Sequence, residues 1–109
     1  TGDLPEMKSA MAVELGKGPA VKVMDRSVIC TPAVVDALEQ AAKDCGVSAQ
    51  REILLCGGTD TSVLQKARAG VQAGAVSIPT RYIHSPSELC AVSDVEDAAK
   101  LLAQYALQK

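Results

Sequence analysis

Apolar segments of two different periods take turns along this chain, and glycine or proline closes each of them. Residues 20–24 (AVKVM) set Val21 and Val23 against Lys22, the two-residue alternation of a half-buried strand. The period then changes. Thr31 stands where an N-cap is wanted and Pro32 follows at the first helical position, where its missing N–H costs nothing. Val34, Leu38, Ala41, Ala42 and Cys45 recur as one helical stripe, with Asp36, Glu39, Gln40 and Lys43 on the wet side and Gly46 as the stop. Residues 51–56 (REILLC) suit a strand buried on both faces, and residues 57–60 (GGTD) turn out of it. A helix over about 61–69 is expected to point Val63, Leu64 and Ala67 inward, and residues 74–78 read as a third strand ended by Pro79. The last helix opens on a capping box of Ser93 and Glu96 and carries Val95, Ala98, Ala99, Leu102, Tyr105 and Ala106 as its buried stripe. A weaker strand over 10–15 pairs in this reading with residues 20–24 as a hairpin-like unit around the glycines.

Strand, helix, strand, helix, strand, loop, helix implies an α/β fold: a mostly parallel sheet with helices on its faces. Ligands of such sheets bind outside the carboxyl ends of the strands. If the second and third strands are parallel, the loops 57–60 and 80–84 that follow them share one rim. The chain of 109 residues has no repeat or linker that would split it, so it reads as one domain or one piece of a domain.

Composition narrows the partners. Eleven basic against thirteen acidic groups give a net charge of −2, which lacks the basic surplus that phosphate backbones require. Two tyrosines with no Phe or Trp leave little on which to stack bases or sugars. No apolar run approaches the ~20 residues of a membrane span. Cys30, Cys45, Cys56 and Cys90 form no Cys-x-x-Cys pair, and reduced thiols packed as small hydrophobes in a cytoplasmic protein are expected. Thr1 is not an initiator methionine, so the chain is expected to be processed, trimmed or cut from something longer.

His84 is the single histidine, set in a loop after a strand, with Pro86 biasing Ser85 toward extended backbone. A lone histidine is more often structural, but imidazole is also the commonest neutral zinc ligand. Gly57, Gly58, Thr59 and Asp60 put small residues and a carboxylate at a helix start, suited either to a bound anion or simply to capping the helix. Arg81 and Tyr82 precede the histidine, and Asp25 and Arg26 follow the first strand as turn residues. Serine-hydrolase and zincin motifs are missing.

Residues 57–60 (GGTD), followed by residues 77–86 (SIPTRYIHSP), resemble the end of the glutamyl or deblocking aminopeptidase family, dinuclear metallopeptidases of the twelve-subunit TET type often labelled endoglucanase or cellulase. Residues 15–20 (LGKGPA), 23–25 and 94–96 resemble the same family, so the similarity runs across essentially the whole chain. The resemblance implies that residues 1–109 are the C-terminal part of a zinc-peptidase-like catalytic α/β domain. His84 would be a terminal ligand of one of two divalent metal ions, zinc or cobalt, and Gly58, Thr59 and Asp60 would lie beside the substrate cleft. Asp3 matches a position slightly after the family's aspartate ligand. The other ligands and the general base lie upstream, so no catalytic residue is assigned and the segment alone is expected to be inactive and to hold no metal stably.

Two functions follow. The resemblance implies that the chain is part of a metal-dependent aminopeptidase that removes N-terminal residues from peptides, with the rest of its polypeptide and peptide substrates as expected partners and a homo-oligomer as the expected assembly. The alternative is a freestanding non-catalytic α/β module that binds a small anion or a partner protein. Apolar faces left uncovered in a partial domain favour self-association.

Overall fold

A computed structural model describes residues 4–7 and 11–108. Asp3 and the opening residues lie outside them, as does residue 10 of the first expected strand. Residues 11–15 form no strand. Instead the Gln50 side-chain amide grips this segment as a neighbouring strand would. Its oxygen accepts from Glu14 N at 2.9 Å, and its nitrogen donates to the carbonyls of Glu14 and Gly18 at 2.8 Å each.

Strand β1 (Ala20–Met24) is central, flanked by β2 (Gln50–Ile53) and β3 (Val76–Ser77) in the order β2-β1-β3. The longer ladder, β1 with β2, is parallel as expected from the crossover through helix α1 (Pro32–Asp44). β3 departs from expectation: it runs antiparallel to β1, with Ala20 opposite Ser77 and Val21 opposite Val76. Its carboxyl end therefore emerges at the amino end of β1. Beyond Pro79 a two-stranded ribbon follows, β4 (Thr80–Arg81) with β5 (Leu89–Cys90), where the sequence suggested an aperiodic loop.

Helix α1 packs on the sheet and helix α3 (Val92–Leu107) packs against α1. Val21, Val28, Cys30, Val35, Leu38, Ala42, Val47 and Leu101 meet in the core between them. Thr31 is the N-cap residue of α1, but its hydroxyl accepts from Ala73 N at 3.0 Å rather than from the helix, so it fastens the approach to β3. In α3 the expected capping box does not form. The helix begins at Val92, and the buried Asp94 carboxylate accepts from Gly16 N at 2.8 Å and Gly18 N at 2.9 Å. That anchor sets the helix's rotation. Asp94, Ala98 and Leu101 are buried and Tyr105 half-buried, while Val95, Ala99, Leu102 and Ala106 are exposed. Gly18 has no alternative at its position, since a Cβ there would stand 1.7 Å from the Ser48 carbonyl oxygen.

Two further expectations fail for physical reasons. Helix α2 (Thr61–Gln65) is short, only Thr61 is buried in it, and Val63, Leu64 and Ala67 face outward. In β2 the residue that goes inside is Glu52, not Ile53 or Leu55, which are exposed. Glu52 is buried because Lys22, expected on a wet face, is 1% exposed on β1 beside it. Lys22 Nζ lies 2.5 Å from Glu52 and 3.5 Å from Asp25, and Ser77 Oγ donates to Glu52 at 2.9 Å. Among the described residues no buried polar side-chain atom lacks a hydrogen-bond partner.

One cation between two buried carboxylates is costly to disturb from one side only. Lys22→Met is expected to lower unfolding free energy by about 3–5 kcal/mol, because it strands Glu52 without its counter-ion. Lys22→Met with Glu52→Met is expected to regain most of that loss. Urea unfolding of the two variants against the parent checks both numbers.

Candidate functional site

The histidine sits at the tip of the β4–β5 ribbon. Thr80 pairs with Cys90 and Arg81 with Leu89, so residues 82–88 form the connection. Thr80 Oγ1 donates back to the Ile78 carbonyl at 3.0 Å, and the buried Pro79 anchors the ribbon's base. Tyr82 and His84 hold left-handed backbone, φ +55° and +63°, which non-glycine residues rarely adopt. The His84 side chain is exposed, and its imidazole makes no hydrogen bond among the described residues. Its backbone N–H is engaged, donating to the Glu88 carboxylate at 2.5 Å. Arg81 turns toward a pocket of about 490 Å³ that it shares with Pro5, Met11, Glu14 and Gln50.

The turn 57–60 is at the other end of the sheet. β1 closes on itself there: Asp25 Oδ1 accepts from Ser27 N, Ser27 Oγ and Val28 N at 2.8, 2.7 and 3.0 Å. Asp25 Oδ2 accepts from Thr59 Oγ1 at 2.9 Å, and Arg26 N donates to the Gly57 carbonyl at 3.2 Å. Gly58 is required by this closeness, since a Cβ would lie 2.7 Å from Ser27 Oγ. Thr59 is thus committed to Asp25, while Asp60 is exposed at the start of α2 with no side-chain cap bond. The two loops do not share a rim, because β3 runs opposite to β2.

Asp25 is 2% exposed. Burial pushes its carboxyl up, but hydrogen bonds from Ser27 and Thr59 and the charge of Lys22 outweigh that and hold it at about 2. With four hydrogen bonds and the Lys22 ammonium already on its carboxylate, Asp25 is a fastening point of the fold. Burial also pushes the Cys30 thiol up, as suits a packed core cysteine.

No group of three His, Cys, Asp or Glu among the described residues could hold an ion. A free imidazole on a fixed turn fits the part of one ligand in a site completed by other donors. Sequence reasoning passed over Glu88 and Gln50; for Glu88 the one signal was a carboxylate four residues after a loop histidine.

The fold is that of solved aminopeptidases. It aligns with the solved structure of aminopeptidase APDkam598 from the archaeon Desulfurococcus kamchatkensis at a TM-score of 0.89 and 36% identity, covering 98% of this chain and 31% of that one. With the Pyrococcus horikoshii TET1 peptidase, described as assembling into a tetrahedron or a large octahedral shell, the TM-score is 0.80 and the identity 31%, over 89% of this chain and 28% of that one. A protein of Acetivibrio thermocellus, provisionally named an aminopeptidase, is 48% identical over 104 residues, 95% of this chain and 31% of its own length. Residues 1–101 match the profile of the M42 glutamyl aminopeptidases, and the chain belongs to that family. It spans about a third of the length of these relatives.

Asp25 gives the protein a defined acid sensitivity. Its carboxyl is lower in the folded state than the usual 3.8, so its stabilisation is complete above about pH 4 and is lost as pH falls toward 2. The loss is about 2 kcal/mol. Urea midpoints measured from pH 5 to 2 are expected to fall less steeply in Asp25→Asn than in the parent.

Proposed function

We propose that the chain is the C-terminal part of the catalytic domain of a metal-dependent aminopeptidase, residues 1–109 contributing one face of its active site. The observation that carries this reading is the family match across residues 1–101, which spans the ribbon where His84 presents a free imidazole. In the whole protein His84 would be a terminal ligand of one of two divalent ions, zinc or cobalt. The ions, when bound, supply Lewis-acid polarisation of the scissile carbonyl and activation of the attacking water. This chain's own part is to hold the imidazole at a set position and orientation at the sheet end. Gly58, Thr59 and Asp60 remain proposed as substrate-binding residues. From their place at the opposite end of the sheet they would serve a stretch of cleft remote from His84.

The substrates would be peptides with free N-termini, and the assembly a homo-oligomer. The latter is supported by the exposed Ile29, Leu55, Leu64, Val71 and Leu107 and by the shells that the Pyrococcus horikoshii relative builds. A cytoplasmic location is supported by four free thiols. Among the described residues no helix is long and apolar enough to cross a membrane.

In the full-length protein carrying this segment, His84→Ala is expected to remove one of two bound metal equivalents and to reduce hydrolysis of aminoacyl substrates by more than about 100-fold. Metal analysis after dialysis and assays with added zinc or cobalt measure the two effects. A variant that kept both equivalents and full activity would end the assignment.

A further inference from the structure

We propose that Glu88 is a positioning residue for His84: by accepting the His84 backbone N–H, its carboxylate holds the histidine in the left-handed conformation from which the imidazole is presented. The inference rests on the reading of His84 as a metal ligand and goes beyond it.

The ribbon fixes where Glu88 stands. Arg81 opposite Leu89 and Thr80 opposite Cys90 place Glu88 immediately before β5, across from Tyr82. From there its side chain reaches the His84 amide at 2.5 Å. Left-handed backbone at both Tyr82 and His84 is unfavourable for side chains of that size, so a connection without a tether would relax toward ordinary turns and swing the imidazole with it. Among the described residues the outer half of the loop has only a longer bond, Ser87 N to Ser85 Oγ at 3.3 Å. The carboxylate is therefore the strongest side-chain restraint on the histidine's backbone among the described residues. An ionised acceptor on a backbone N–H is a strong hydrogen bond, and side chains that orient a metal ligand commonly govern affinity without touching the ion.

Reach and acceptor character are separable by substitution. Glu88→Asp keeps the charge and loses the reach; Glu88→Gln keeps the reach and an accepting oxygen but loses the charge. In the full-length protein, zinc affinity read by chelator competition is expected to fall about 10- to 100-fold at one site in Glu88→Ala and Glu88→Asp. Glu88→Gln is expected to recover most of that loss. Excess zinc should restore kcat in the weakened variants with KM unchanged, which a general folding defect would not allow. If Glu88→Ala does not fold, the Asp and Gln variants decide alone. Wild-type zinc affinity in Glu88→Asp overturns the proposal. So does a Glu88→Gln variant as weak as Glu88→Ala, since charge rather than the amide bond would then be at work. Retention of both zinc equivalents in His84→Ala overturns the underlying ligand assignment instead, whatever the Glu88 variants do.

Discussion

Lys22 is the point through which the sheet and its surroundings are joined. Its ammonium lies beneath the central strand, bound to Glu52 of β2 and near Asp25 at the end of β1, while Ser77 of β3 donates to the same Glu52. Asp25 in turn fastens Ser27, Val28 and Thr59. One buried cation thus connects three strands, the β1–α1 loop and the turn before α2. Such a cluster contributes less net stability than apolar packing of the same volume. What it imposes is geometry, because Glu52 meets its counter-ion only in this register, and a slip of one residue along β1 would put Val21 or Val23 against its carboxylate.

The opposite end of β1 depends on a second carboxylate. Asp94, fully buried in the first turn of α3, binds the N–H groups of Gly16 and Gly18, and Gln50 holds Glu14 and Gly18 from β2. These contacts tie together residues far apart in sequence at the sheet end from which the β4–β5 ribbon departs.

The parts of the fold written in local periodicity were legible: β1, the whole of α1 with its Pro32 start and Gly46 stop, and the last helix as an element. What failed shares one cause. Lys22 read as solvent-facing because a single strand's alternation says nothing about an opposite charge on its neighbour, and the Ile53–Leu55 run drew attention away from Glu52 as the residue that goes inside. Asp94 read as part of a cap because its true partners lie more than seventy residues earlier. The direction of β3 was likewise invisible, since two strand residues carry no sign of parallel or antiparallel pairing, and with that direction went the expectation of one shared rim. The family was legible through the specific string of residues 77–86, whereas the bond from His84 N to Glu88 was not.

Strand direction has a consequence for how an active site can be built on this frame. In an all-parallel sheet both loops would meet at one edge and the chain would carry a cleft of its own. With β3 reversed, the imidazole and the Gly58–Asp60 turn are divided between the two ends of the sheet. On the proposed reading, each end would be a half-site that other donors complete. A lone imidazole is useful in such an arrangement only if its direction is fixed before those donors arrive, since an unfixed ligand would spend binding energy on its own ordering. Left-handed backbone at the ribbon tip, restrained by a carboxylate four residues on, is a means of fixing it that asks nothing of the rest of the protein.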